Sequence, residues 1–178
     1  MIATLKIPTH SAILPDTNVL VDAIEHGHSF AELISAFQAV NATPSFSEIV
    51  RLEFLRGFEK HDKALQFIEI FFGNDPFTLR LDDRVYELAY DIDKIYRRQG
   101  NKKVGIGDLL IAAQIARFSL PKREKNHLLL ATQNHKDFSP VLFDLLDVVN
   151  IRIQNGVIKT VGLYKFSAER FEQLRPKS

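Results

Sequence analysis

Apolar residues fall into short blocks separated by polar turns, and the blocks alternate between strand and helix lengths. Ala12-Ile13-Leu14 reads as a buried strand; after the polar turn Pro15-Asp16-Thr17-Asn18, the run 19–24 reads as a helix. Residues 29–39 place apolar side chains at helical spacing, and Ala42-Thr43-Pro44 closes a short second strand. Ser45-Phe46-Ser47-Glu48 has the Ser-x-x-Glu form of a capping box, which predicts a helix opening there and reaching Gly57. Residues 61–72 continue as helix to the breaker Gly73-Asn74-Asp75-Pro76. The segment 77–81 alternates like a strand, and Asp82 begins a helix running to about Gln99. After the basic loop Gly100-Asn101-Lys102-Lys103, residues 106–118 form a largely apolar helix, and 127–131 another buried strand.

Short, wholly apolar strands alternating with helices predict an α/β fold in which a mostly parallel sheet is covered on both faces. Residues 148–178 break this pattern. The runs 148–154 and 157–161 flank Asn155-Gly156, the favoured two-residue hairpin turn. A strand pair is expected there, then a short helix from about Ser167, added at the sheet edge for stability. Repeats, low-complexity tracts and linkers are missing, so one domain over 1–178 is expected, its motif-bearing core at about 10–150.

Composition narrows the chemistry. At 178 residues, folding buries roughly 70% of the extended chain's surface, enough for a core without staples. With no cysteine, disulfides, thiolate zinc sites and a cysteine nucleophile are ruled out, which fits a cytoplasmic setting. The first residues lack the basic start of a signal peptide, and apolar runs fall short of the roughly 20 residues of a membrane helix, so no membrane association is expected. Lys+Arg 23 against Asp+Glu 22 leaves a net charge of +1, so the placement of charge decides whether nucleic acid is a partner.

Three acids stand in informative places. Asp16 follows the first strand, and ligands of open α/β sheets bind beyond the carboxyl ends of strands. Glu53 lies in the helix after the second strand, and Asp108 opens an apolar helix. In a parallel sheet these points converge on one edge. Clustered carboxylates repel and raise one another's pKa, and Mg²⁺ or Mn²⁺ is the natural compensation. Taken singly, each acid also suits a structural role: Asp16 and Asp108 as helix N-caps, Glu53 as an exposed partner of Arg56.

Four stretches carry a resemblance. Leu14-Pro15-Asp16-Thr17-Asn18-Val19-Leu20-Val21, Glu53-Phe54-Leu55-Arg56-Gly57, Gly107-Asp108-Leu109-Leu110-Ile111-Ala112-Ala113, and Leu130-Ala131-Thr132-Gln133-Asn134 with Asp137-Phe138 occur in this order. Together they resemble the PIN-domain ribonucleases, most closely the toxin nucleases of prokaryotic toxin–antitoxin pairs. The resemblance implies an α/β/α sandwich that cuts RNA phosphodiester bonds with Mg²⁺ or Mn²⁺. It also implies an antitoxin protein as partner and a homodimer. By position, Asp16, Glu53 and Asp108 would hold the metal, Thr17 and Asn18 would orient the first acid, and Thr132 would end the fourth strand. Asn134 departs from the pattern: many members carry a fourth Asp there. An uncharged oxygen ligand leaves three carboxylates. Asn134 is taken as a metal-site or water-site residue and Asp137 as structural.

The substrate needs phosphate contacts. Residues 94–103 hold Lys94, Arg97, Arg98, Lys102 and Lys103 with one aromatic, Tyr96, and no acid. Basic side chains beside a stacking ring suit single-stranded RNA, so Arg97, Arg98, Lys102 and Lys103 are candidate RNA contacts on the pocket rim. A solvated helix end is the structural alternative.

Other signals are weak. Gly105-Ile106-Gly107 lacks the rest of a nucleotide-binding loop, and His26-Gly27-His28 lacks further zinc ligands. A haloacid-dehalogenase-like phosphatase needs an Asp two residues after its nucleophile, where this chain has Asn18. The remaining alternatives are a non-catalytic RNA- or protein-binding module on the same fold, and an RNA-processing nuclease that is not a toxin.

Overall fold

The computed structural model describes residues 5–59, 61–73, 77–100, 104–120, 127–154 and 156–176. The elements run β1 (Ala12–Pro15), α1 (Thr17–Glu25), α2 (Gly27–Ala39), β2 (Thr43–Ser47), α3 (Glu48–Arg56), α4 (His61–Phe72), β3 (Phe77–Leu79), α5 (Asp83–Arg98) and α6 (Ile106–Ser119). Then follow β4 (Leu128–Thr132), β5 (Phe143–Arg152), β6 (Ile158–Phe166) and α7 (Ala168–Leu174). The six strands form one sheet in the order β3-β2-β1-β4-β6-β5. β1 pairs in parallel with β2 and β4, and β2 with β3; β6 pairs antiparallel with both β4 and β5.

Wholly apolar strands are required here because both sheet faces are covered. Successive side chains alternate between the faces. Leu14, Leu128, Leu130, Tyr164 and Phe166 join the larger core with residues of α3, α4, α5, α6 and α7. Ile13, Leu129, Ala131, Val161 and Leu163 join the smaller core under α1 and α2. The largely apolar α6 has Ile111 through Ala116 buried, Gln114 among them. Gln114 is the polar residue in that buried run of α6. Its Oε1 accepts from Ser47 Oγ at 2.6 Å and its Nε2 donates to the Leu79 carbonyl at 2.9 Å, so it fastens α6 to β2 and β3.

Two local expectations change. The helix after β2 is capped by Ser47, whose Oγ accepts from the N–H groups of Ile49 and Val50; Ser45 is buried within β2. Glu48 therefore begins the helix instead of closing a box, and its carboxylate accepts from Leu81 N–H at 2.9 Å. The strand ladder won because Ser45 pairs with Phe77. The hairpin strands are also longer than expected. Ile153 N–H donates to the Val157 carbonyl and Gly156 N–H to the Ile153 carbonyl, with Gly156 at φ 74°. That left-handed backbone is what the glycine supplies. Asn155, the other half of the predicted turn, lies outside the described residues. β5 forms the sheet edge, and β6 lies inside it against β4.

Candidate active site

β1 ends at Pro15, and the next residue continues the ladder: Asp16 N–H donates to the Ala131 carbonyl of β4 at 2.9 Å. Asp16 is also the N-cap of α1. Its Oδ1 accepts from Thr17 N–H at 2.7 Å, and its Oδ2 accepts from Asn18 Nδ2 at 2.7 Å and from Thr132 Oγ1. The capping role and the pocket role thus coincide in one side chain. Asp16 is 4% exposed, and burial outweighs these three hydrogen bonds, so its pKa lies above the ordinary carboxylate value.

A cavity of about 440 Å³ opens at this strand end, lined by Asp16, Thr17, Asn18, Asp22, Glu53, Asp108, Gln133, Asn134 and Lys159, with Val21 at its side. Glu53 arrives from α3 and accepts at Oε2 from Thr17 Oγ1 at 2.7 Å; Thr17, and not Arg56, is its partner among the described residues. Asp108 sits in the first turn of α6, whose N-cap is Gly105, so Asp108 is not itself the cap. Gly107 makes room for the Glu53 carboxylate. A Cβ there would stand 2.5 Å from Glu53 Oε1, so only glycine leaves the carboxylate its place against α6. Burial, and after it the charges of Asp137, Asp16 and Glu53, push Asp108 up to about 6. The helix N-terminus favours the carboxylate form, and here it loses to desolvation and like charge.

The loop after β4 is built from Thr132. Its Oγ1 accepts from Asn134 N–H at 2.9 Å, and Asn18 Oδ1 accepts from Gln133 N–H at 3.1 Å. Asn134 lines the pocket and donates through Nδ2 to Asp137 Oδ2 at 2.6 Å. Asp137 is therefore more than a turn residue: Asn134 holds it, and its charge is the foremost carboxylate influence on Asp108.

Asp16, Glu53, Asp108 and Asn134 thus share one pocket, with Thr17 and Asn18 also lining it and the buried Thr132 hydrogen-bonded to Asp16. Of the basic candidates, Arg97 and Arg98 do not line the pocket. Arg97 Nε pairs with Asp93 Oδ2 at 2.7 Å beside an apolar cavity between α5 and α6, and Arg98 is exposed at the end of α5. Lys102 and Lys103 lie outside the described residues. Pocket residues that the sequence did not single out are Asp22, Gln133 and Lys159. Asp22 stands six positions after Asp16 in an ordinary helix, and Lys159 lies in a hairpin read as a stabilising addition.

Oxygen donors without sulfur fit a hard divalent cation, and carboxylates pressed together by burial gain most from one. Among the described residues, the set of three metal-capable groups with ligand atoms all within 4.8 Å is Asp22, Glu25 and His26. The acids around Asp16 stand further apart than that. In the tighter set, Asp22 is already engaged with Gln133 Nε2 at 2.7 Å and Lys159 Nζ at 3.1 Å. Among the described residues, no helix is long and apolar enough to cross a membrane.

Comparison with known proteins bears on this site. The family model described as "PIN domain" matches residues 13–139, a span holding Asp16, Glu53, Asp108 and Asn134 but not β5, β6 or α7. Among solved structures, the chain is similar to VapBC2 from Rickettsia felis, bound to a DNA fragment from their promoter. There the TM-score is 0.50 at 22% identity, covering 61% of this chain and 83% of that one. FitAcB from Neisseria gonorrhoeae matches with a TM-score of 0.44 at 17% identity, covering 60% and 82%. No curated protein sequence matches the chain.

Proposed function

Because the chain belongs to the PIN-domain family, we propose that it is an Mg²⁺- or Mn²⁺-dependent endoribonuclease and the toxin of a toxin–antitoxin pair. One observation carries the reading. Acids from three separate segments, Asp16, Glu53 and Asp108, line one open pocket, and burial, followed by the charges of Asp137, Asp16 and Glu53, holds Asp108 near pKa 6. Carboxylates perturbed by burial and specific charge partners in a cleft are the physical signature of a functional-site candidate.

Asp16, Glu53 and Asp108 would hold the metal, with Asn134 as an uncharged oxygen beside them. When bound, such an ion lowers the pKa of a water and neutralises charge on the phosphate under attack. The protein's own residues supply order. Thr132, Asn18 and Thr17 N–H fix Asp16, and Thr17 Oγ1 fixes Glu53, so two acids from different elements are oriented by one stretch of chain. In the metal-free protein Asp108, near pKa 6, is ionised in most molecules at neutral pH, the form a cation needs as a ligand.

An antitoxin protein, a homodimer and a cytoplasmic setting belong to the same proposal. Its test is incubation of the pure protein with structured and unstructured RNAs, with Mn²⁺ or with chelator. Cleavage is expected with Mn²⁺ and is expected to vanish in Asp16→Asn. Undiminished cleavage by that variant sinks the assignment.

A further inference from the structure

Beyond the span shared with the family, β6 brings a cation into the pocket. Among the described residues lining it, Lys159 is the lysine or arginine, and its side chain is 33% exposed. An ammonium has three donors and no acceptor. Its recorded ion pair, at 3.1 Å to Asp22 Oδ2, uses one of them. That same oxygen takes a hydrogen bond from Gln133 Nε2 at 2.7 Å, so Asp22 does not depend on the lysine alone.

The placement is built. His135 Nδ1 lies 2.6 Å from Tyr164 Oη and its Nε2 lies 3.2 Å from the Thr160 carbonyl, which clamps the loop after β4 to β6. Gly162 makes the clamp possible. A Cβ there would meet Tyr164 Cε2 at 2.6 Å and His135 Cε1 at 3.0 Å. Gln133, two residues before His135, and Lys159, one before Thr160, are thereby delivered to the same carboxylate. An otherwise acidic pocket repels an RNA backbone, and a cation at its rim offsets that repulsion where the strand must enter.

We infer that Lys159 is a substrate-binding residue of this site, contacting a backbone phosphate of the bound RNA, and that Asp22 and Gln133 hold it in place. This rests on the ribonuclease reading for the identity of the ligand. The test is binding of a short labelled oligouridine to the full chain, measured by anisotropy against salt with Ca²⁺ as the divalent ion. Lys159→Ala and Lys159→Gln are expected to weaken binding roughly tenfold and to make the log–log salt slope shallower by about 0.7, the loss of one single-strand phosphate contact. Lys159→Arg is expected to restore both, and thermal melts report whether each variant folds. An unchanged affinity and slope in folded Lys159→Gln overturns the inference. Cleavage by the unaltered protein is read separately. A lysine effect on binding without any cleavage leaves the contact standing and removes the nuclease, while cleavage without a lysine effect does the reverse.

Discussion

Thr132 Oγ1 donates to Asp16 Oδ2 while accepting from Asn134 N–H, so one hydroxyl sets both the first acid and the loop that follows β4. Both partners of that hydrogen bond are buried. Thr132→Val keeps the shape and removes the donor. The expected cost is about 1–3 kcal/mol of stability, because Asp16 then lacks one of its three donors in a desolvated place. Cleavage should fall by roughly 10–100-fold, the usual effect of losing a group that orients a metal ligand. Thr132→Ser should recover most of both. Melts and Mn²⁺-dependent cleavage rates check this; a Val variant as active as the parent would remove Thr132 from the site.

The pH dependence follows from Asp108. Its pKa rises from an ordinary 3.8 to about 6 on folding, so the folded chain holds the proton more tightly than the unfolded chain. Stability from this group is full below about pH 4 and is lost as pH climbs through about 6. Asp16 is shifted in the same direction. The difference in melting temperature between the protein and Asp108→Asn should therefore change sharply between pH 4 and 6, the unaltered protein losing ground as pH rises. Stabilisation by Mn²⁺ should grow over the same window, since the metal competes with the proton. A flat difference across that range contradicts the burial and crowding of Asp108.

Much of this arrangement was legible in the sequence, for identifiable reasons. Buried parallel strands must be apolar throughout, so β1 and β4 announced themselves, and the polar residues just beyond them, Asp16 and Thr132, marked the strand ends where ligands bind. Local signals misled where tertiary pairing outranked them. Ser45 fits a cap but is consumed by β2, and Ser47 caps α3 because the strand runs on to it. Asp22, Gln133 and Lys159 were illegible for a different reason. Each is unremarkable in its own segment, and only the antiparallel insertion of β6 beside β4 brings the lysine across to Asp22. The role of Asp137 was hidden likewise, since its influence on Asp108 depends on the fold bringing 137 and 108 together.

Gly107 separates activity from stability. In Gly107→Ala the new Cβ would stand 2.5 Å from Glu53 Oε1, the far end of a flexible and exposed side chain. Glu53 can swing aside at little cost, and alanine is the better helix former, by at most about 1 kcal/mol in this first turn. The melting temperature is thus expected to hold or rise, while cleavage falls because Glu53 leaves its bond to Thr17. Parallel melting and rate measurements decide it, and a variant that loses stability but not activity would contradict this geometry.

Asn134 lines the pocket beside the three acids, and Asn134→Asp tests what the amide does. The amide donates to Asp137 Oδ2 at 2.6 Å. A carboxylate in its place has no proton to give at neutral pH, and it would face Asp137 beside an already crowded Asp108. Without metal, the loss of a hydrogen bond to a charged group should destabilise the fold by about 1.5–3 kcal/mol. With Mn²⁺ the added charge becomes a ligand, so the metal-induced rise in melting temperature should exceed that of the unaltered protein. If the rise is no larger, residue 134 does not reach the ion, and its amide serves to tether Asp137 next to Asp108. If the rise is larger, residue 134 reaches the ion, and cleavage by the variant should saturate at lower Mn²⁺ concentration.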